Sequence, residues 1–154
     1  MSRLYPYAST LRSIGQALEN LGIEAFDLRC DDDEFHLQCG DPNPPHLMLI
    51  ELSYSLKDIE SLERESRARR RGQSGLASVE SLSGALRVLG WLVDTKSGRL
   101  RRICNSESAI GEEVWRLEYR ASNRDVITEE FDMRLLHETS LSMRKERFKT
   151  ASRR

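Results

Sequence analysis

The stretch Ala25-Phe26-Asp27-Leu28-Arg29-Cys30-Asp31, followed by Glu34-Phe35-His36-Leu37-Gln38-Cys39, decides the fold. Apolar side chains fall at every second position in both runs, which is the period of a strand with one buried face. A tight turn at Asp32-Asp33 pairs Cys30 with Phe35, Leu28 with Leu37 and Phe26 with Cys39. All six then share one face, and Asp27, Arg29, His36 and Gln38 share the other. A slip of one residue would turn the apolar set into water, so the pairing is well specified.

Working outward, Leu11, Ile14, Leu18 and Leu21 make one stripe on a helix over Thr10–Asn20. Ser9 or Thr10 is placed to cap it and Gly22 to stop it. After the hairpin, Asp41-Pro42-Asn43-Pro44-Pro45 reads as a rigid loop. A third strand is expected over Leu47–Ser53, with Met48, Ile50, Leu52 and Tyr54 on one side and Leu47 and Leu49 on the other. Ser55 then caps a second helix, with Asp58 answering in a capping box. Its stripe is Leu56, Ile59 and Leu62, and from Glu63 onward it has nothing to bury. Gly72-Gln73-Ser74-Gly75 is a flexible joint.

The order then recurs. A helix over Ser78–Val93 carries Leu82, Leu86, Leu89 and Val93, with Trp91 flanking. Strands follow at Arg99–Asn105, Val114–Ala121 and Asp125–Phe131, the last two joined by Ser122-Asn123-Arg124. Trp115, Leu117 and Tyr119 share a face. A final helix from Asp132 toward Lys149 carries Leu135, Leu136, Leu141, Met143 and Phe148. The expectation is an α+β domain of two tandem α-β-β-β-α halves, 1–72 and 73–154, with one antiparallel sheet and the helices packed on one face. An offset of 71 residues sets Leu11 on Leu82, Leu18 on Leu89 and Leu21 on Leu92. At the level of the fold this resembles the saddle of the TATA-binding protein family, although none of that family's base-reading motifs accompanies it. A two-layer sandwich without pseudo-symmetry is the rival arrangement.

With 154 residues, 32% of them charged, and a formal net charge of −1, the chain can bury a core and sets up no global field toward nucleic acid or membrane. Arginine outnumbers lysine 20 to 4. Base composition explains such a bias, as does planar recognition of phosphate or carboxylate. Three cysteines at 30, 39 and 104 fit no metal motif and read as free thiols, so a reducing, cytoplasmic setting is expected. His36, His46 and His137 stand in no metal-binding pattern, and Asp31-Asp32-Asp33-Glu34 lacks the alternating ligands of a calcium loop. No metal and no cofactor is expected, and no apolar run reaches the length of a membrane span.

The candidate binding residues are Arg29, His36 and Gln38 on the outer hairpin face, Arg67, Arg69, Arg70 and Arg71 at the end of the second helix, and Arg101 and Arg102 beside Arg99 on the fourth strand. A further basic cluster closes the chain from Arg144 to Arg154. The long polar ends of the second and last helices either fray in solvent or find a surface outside their own core. The expected role is a non-catalytic binding or assembly module acting through protein–protein association, most simply as a homodimer. Nucleic-acid binding through the arginine clusters is the alternative, and an enzyme with a site on the open sheet face a third.

Overall fold

The hairpin folds in the pairing that its alternation dictates. In the computed structural model β1 (Phe26–Asp31) and β2 (Glu34–Cys39) pair Cys30 with Phe35, Leu28 with Leu37 and Phe26 with Cys39. The structure describes residues 5–23, 26–31, 34–39, 50–70, 79–107 and 111–152, with side chains omitted at 66–70, 106–107 and 147–152. The Asp32-Asp33 turn, the proline loop, Leu47 to Leu49, the glycine joint and the boundary at 72–73 lie outside the described residues.

The remaining elements are α1 (Tyr7–Asn20), β3 (Ile50–Tyr54), α2 (Leu56–Arg70), α3 (Leu82–Thr95), β4 (Arg99–Glu107), β5 (Glu113–Arg120), β6 (Val126–Asp132) and α4 (Met133–Ser152). All strand pairs are antiparallel, in the order β3-β2-β1-β4-β5-β6. The chain is therefore α+β: helix, three strands, helix, twice over, with a strand order that reads outward identically from the β1–β4 seam. Phe26, Leu28, Phe35, Leu37, Leu100, Ile103, Trp115 and Leu117 point from the sheet into one core, against Leu11, Ile14, Leu18, Leu86, Leu89 and Val93 of the helices. Phe26 and Trp115 meet across the seam with ring centroids 5.6 Å apart.

Helix α1 begins at Tyr7, three residues before the expected start, and Ser9 and Thr10 lie inside it. Pro6 holds the N-cap position without a side-chain bond. The missing cap comes from α3: Asp94 accepts from the Tyr7 and Ala8 N–H groups, each at 3.0 Å. Reciprocally, Glu19 of α1 accepts from the Ser83 N–H in the first turn of α3 at 2.7 Å. Helix α3 starts at Leu82 rather than Ser78, with Ser81 as its own side-chain cap.

These two helices approach until backbone meets backbone. A Cβ built on Gly15 would stand 2.6 Å from Ser83 Cα, and one on Gly90 would stand 2.6 Å from the Tyr7 carbonyl carbon. Both helices end in the same hydrogen-bonded turn, with Ile23 N–H to Leu18 O and Gly98 N–H to Val93 O, through Gly22 and Ser97 at positive φ. Ala8 and Ser83, Gly15 and Gly90, Glu19 and Asp94, Gly22 and Ser97 are each 75 apart in number, as are Leu28 and Ile103, which pair at the centre of the seam. The spatial correspondence therefore runs at 75, not at the 71 that the leucines suggest.

Helix α2 carries the expected capping box: Ser55 N–H donates to Asp58 Oδ2 at 2.8 Å. Its stripe differs from expectation. Ile59 is buried and Leu56 exposed, and Glu63, expected in solvent, is only 2% exposed. The Glu63 carboxylate accepts from Ser9 Oγ at 2.6 Å and Ser13 Oγ at 3.1 Å on α1. In α4, Leu136 and Met143 are buried whereas Leu135 and Leu141 face outward.

Candidate functional site on the uncovered sheet face

The helices cover one face of the sheet, so alternate residues of all six strands display their side chains on the other. Cross-strand pairing lines these up in rows. One row runs Ser53, His36, Arg29, Arg102, Glu118, Thr128 from edge to edge. The next runs Glu51, Gln38, Asp27, Cys104, Arg116, Glu130. A depression of about 240 Å³ opens at the β1–β3 end of these rows, lined by Asp27, Arg29, His36, Gln38, Glu51 and Ser53. The hairpin register thus brings together Arg29, His36 and Gln38, the three residues its alternation nominates.

Most charges on this face are answered within it. Arg102 grips Asp27 with two bonds, Nε to Oδ1 at 2.9 Å and Nη2 to Oδ2 at 2.6 Å, and this fork pushes the Arg102 pKa above its usual value. Arg116 donates to Glu130 at 2.8 Å, with the same consequence for its own pKa. Arg101 pairs with Glu118 at 3.3 Å. A shift in the β4–β5 pairing between Leu100 and Arg102 makes room for Arg101 on the same face as Arg102. Among the described residues Arg29 forms no ion pair.

His36 is held at both ring nitrogens, by Ser53 Oγ at 3.0 Å from Nδ1 and by Glu34 at 3.5 Å from Nε2. Serine, imidazole and carboxylate in sequence invite comparison with a hydrolytic triad. The surroundings differ from such a site. The His36 and Glu34 side chains are 49% and 65% exposed. The backbone N–H groups of β2 lie between two ladders, with β1 and β3. Those amides cannot form an oxyanion hole, the feature on which acyl transfer chiefly depends.

The two halves of the face differ in charge. On β1–β3 the carboxylates Asp27, Asp31, Glu34 and Glu51 stand against Arg29. On β4–β6 five arginines (99, 101, 102, 116 and 120) stand against Glu118, Glu130 and Asp132. Glu51 and Ser53 escaped the sequence reading because Leu47 and Leu49 blurred the alternation of β3. The charge partition depends on cross-strand neighbours that no local pattern supplies.

The other nominated residues lie elsewhere. Arg67, Arg69 and Arg70 occupy the last turns of α2, where side chains are not described, and Arg71 lies outside the described residues, as does His46. Among the described residues no cluster of His, Cys, Asp or Glu could hold a metal, and no helix is long and apolar enough to cross a membrane. Cys30, Cys39 and Cys104 are free thiols, and burial pushes that of Cys39 up. Compared with protein families, curated proteins and solved structures, the chain finds no match.

Proposed function

We propose that the protein is a non-catalytic association module, assembled from two copies of one α-β-β-β-α unit, that docks a protein partner on the uncovered face of its sheet. The observation that carries this reading is Arg29, a cation without an ion pair among the described residues, at the rim of a polar depression on a face whose other central arginines are matched. An unmatched guanidinium beside fixed hydrogen-bonding groups suits a carboxylate or backbone carbonyl of another chain. Nucleic acid is less well served, because Arg101 and Arg102 already spend their charge on Glu118 and Asp27.

The test compares two binding assays. In the first, the full chain is titrated into fluorescent single- and double-stranded oligonucleotides. In the second, immobilised wild type, Arg29→Glu and Arg64→Glu, the last an exposed position on the helix layer, capture proteins from a lysate. The reading expects no oligonucleotide binding that weakens with salt, and a captured protein lost in Arg29→Glu and kept in Arg64→Glu. Salt-dependent oligonucleotide binding removed by Arg101→Glu, or capture indifferent to Arg29→Glu, overturns it.

A further inference from the structure

We infer that the protein docked on this face is a second copy of the same chain, turned face to face about a twofold axis along the β1–β4 seam; this rests on the association reading above. At one end of the seam Asp31 stands opposite Glu34 on β1–β2, and Arg99 stands opposite Arg120 on β4–β5. These are the same end. Strands β1 and β4 are antiparallel about Leu28 and Ile103, so chain after Leu28 runs beside chain before Ile103. The acidic corner and the basic corner are therefore placed symmetrically on the two sides of the seam. All four residues are exposed, and Asp31, Arg99 and Arg120 form no ion pair among the described residues.

A half-turn about an axis in the sheet plane, along the seam, lays one copy face down on the other. It exchanges left and right but keeps the ends. Arg99 of the second copy then stands over Asp31, and its Arg120 over Glu34, with the reciprocal contacts generated by the symmetry. In the neighbouring row, that of Arg29 and Arg102, Glu118 of the second copy stands over His36. Arg29 stands over the Arg102–Asp27 ion pair of the second copy, whose Asp27 offers the carboxylate that the unmatched guanidinium calls for. The other in-plane axis, across the strands, would stack acidic half on acidic half and is disfavoured by like charge. Six strands about 4.8 Å apart give a face of roughly 600 Å² per copy, near the lower limit for a specific interface. The dimer is accordingly weak, polar and dependent on ionic strength.

The experiment is sedimentation equilibrium on the full chain. The expected result is a dimer whose affinity falls about tenfold or more between about 50 mM and about 500 mM NaCl. Asp31→Arg with Glu34→Arg makes both halves of the face basic, and Arg99→Glu with Arg120→Glu makes both acidic. Each double variant alone is expected to be monomeric, and a one-to-one mixture to recover the dimer mass, which also shows that both variants are folded. Cys104 lies on this face one residue from the seam centre, so a short bis-maleimide should link it to Cys104 of the second copy, and Cys104→Ser should abolish the link. A wild type that stays monomeric at low salt, or charge-reversed variants that dimerise alone as tightly as wild type, overturns the inference. A monomer that still captures another protein in an Arg29-dependent way would leave the association reading standing.

Discussion

Glu19 and Asp94 each lie near the carboxyl end of their own helix and cap the amino end of the other. The exchange binds α1 and α3 into an antiparallel pair whose free backbone donors are answered from across the interface, in place of a local cap at α1 and beside the Ser81 cap at α3. Each carboxylate also meets the positive end of a helix dipole.

Replacing Asp94 by Ala is expected to cost about 1–2 kcal/mol, and Glu19 by Ala a similar amount, the usual loss for a helix cap. The two sites lie at opposite ends of 14-residue helices, so the double variant should be additive to within about 0.5 kcal/mol. Urea denaturation measures all three. A loss under about 0.3 kcal/mol for Asp94→Ala would show that the cap contributes little.

Gly→Ala inside a helix ordinarily stabilises by up to about 1 kcal/mol. At Gly15 and Gly90 the sign should reverse, because the added methyl meets backbone atoms at 2.6 Å that no rotamer change can move. Each substitution is expected to cost about 1–3 kcal/mol or more. Ser97→Gly should instead stabilise by about 0.5 kcal/mol, because Ser97 sits at φ 50 where its counterpart is already Gly22. Thermal melts of the three variants should order accordingly.

Ser9 and Ser13 both donate to the same Glu63 oxygen, and the other Glu63 oxygen is buried without a partner. Either serine changed to alanine should cost roughly 1.5–3 kcal/mol, as expected for a hydrogen bond to a buried charge. The double variant should cost more than the sum, because two donors on one oxygen weaken each other and losing both leaves the buried carboxylate without a donor. Full additivity in denaturant titrations would show the two bonds to be independent.

Hydrogen bonds from the Ser55 backbone N–H, and then from its hydroxyl, lower the Asp58 pKa below its ordinary 3.8. The carboxylate is the bonded form, so the contribution of this cap is complete above the ordinary value and is lost as pH falls through the lowered one. Asp58→Asn should flatten that part of the acid unfolding profile. An NMR titration of Asp58 with a midpoint at or above 3.8 would contradict the assignment.

The hairpin was fully legible because six apolar side chains had to reach one face, and a single register does that. The residues of the depression on β1 and β2 were legible for the same reason, since what alternation leaves outside is fixed with what it puts inside. The start of α1 was not. Ser9 and Thr10 have the chemistry of local caps, whereas the cap comes from Asp94, 87 positions away for Tyr7. The leucines set the two halves four residues away from their spatial correspondence, about one helical turn, because a leucine stripe slid by one turn still overlays leucines. Glu63 reads as a solvated position because its partners, Ser9 and Ser13, lie at a sequence separation of 54 and 50.

The seam has a consequence for how the chain reaches this structure. Each three-stranded meander closes through short-range contacts, while the β1–β4 pairing joins residues 75 apart at its centre, Leu28 and Ile103. Non-local closure of this kind sets folding rates. A first unit leaving the ribosome would carry an unsatisfied β1 edge and an uncovered α1 until the second arrives. The surface it awaits is also offered by the second unit of any neighbouring chain. Refolding at high concentration should therefore yield exchanged dimers, in which the seam is made between molecules and every capping contact is native.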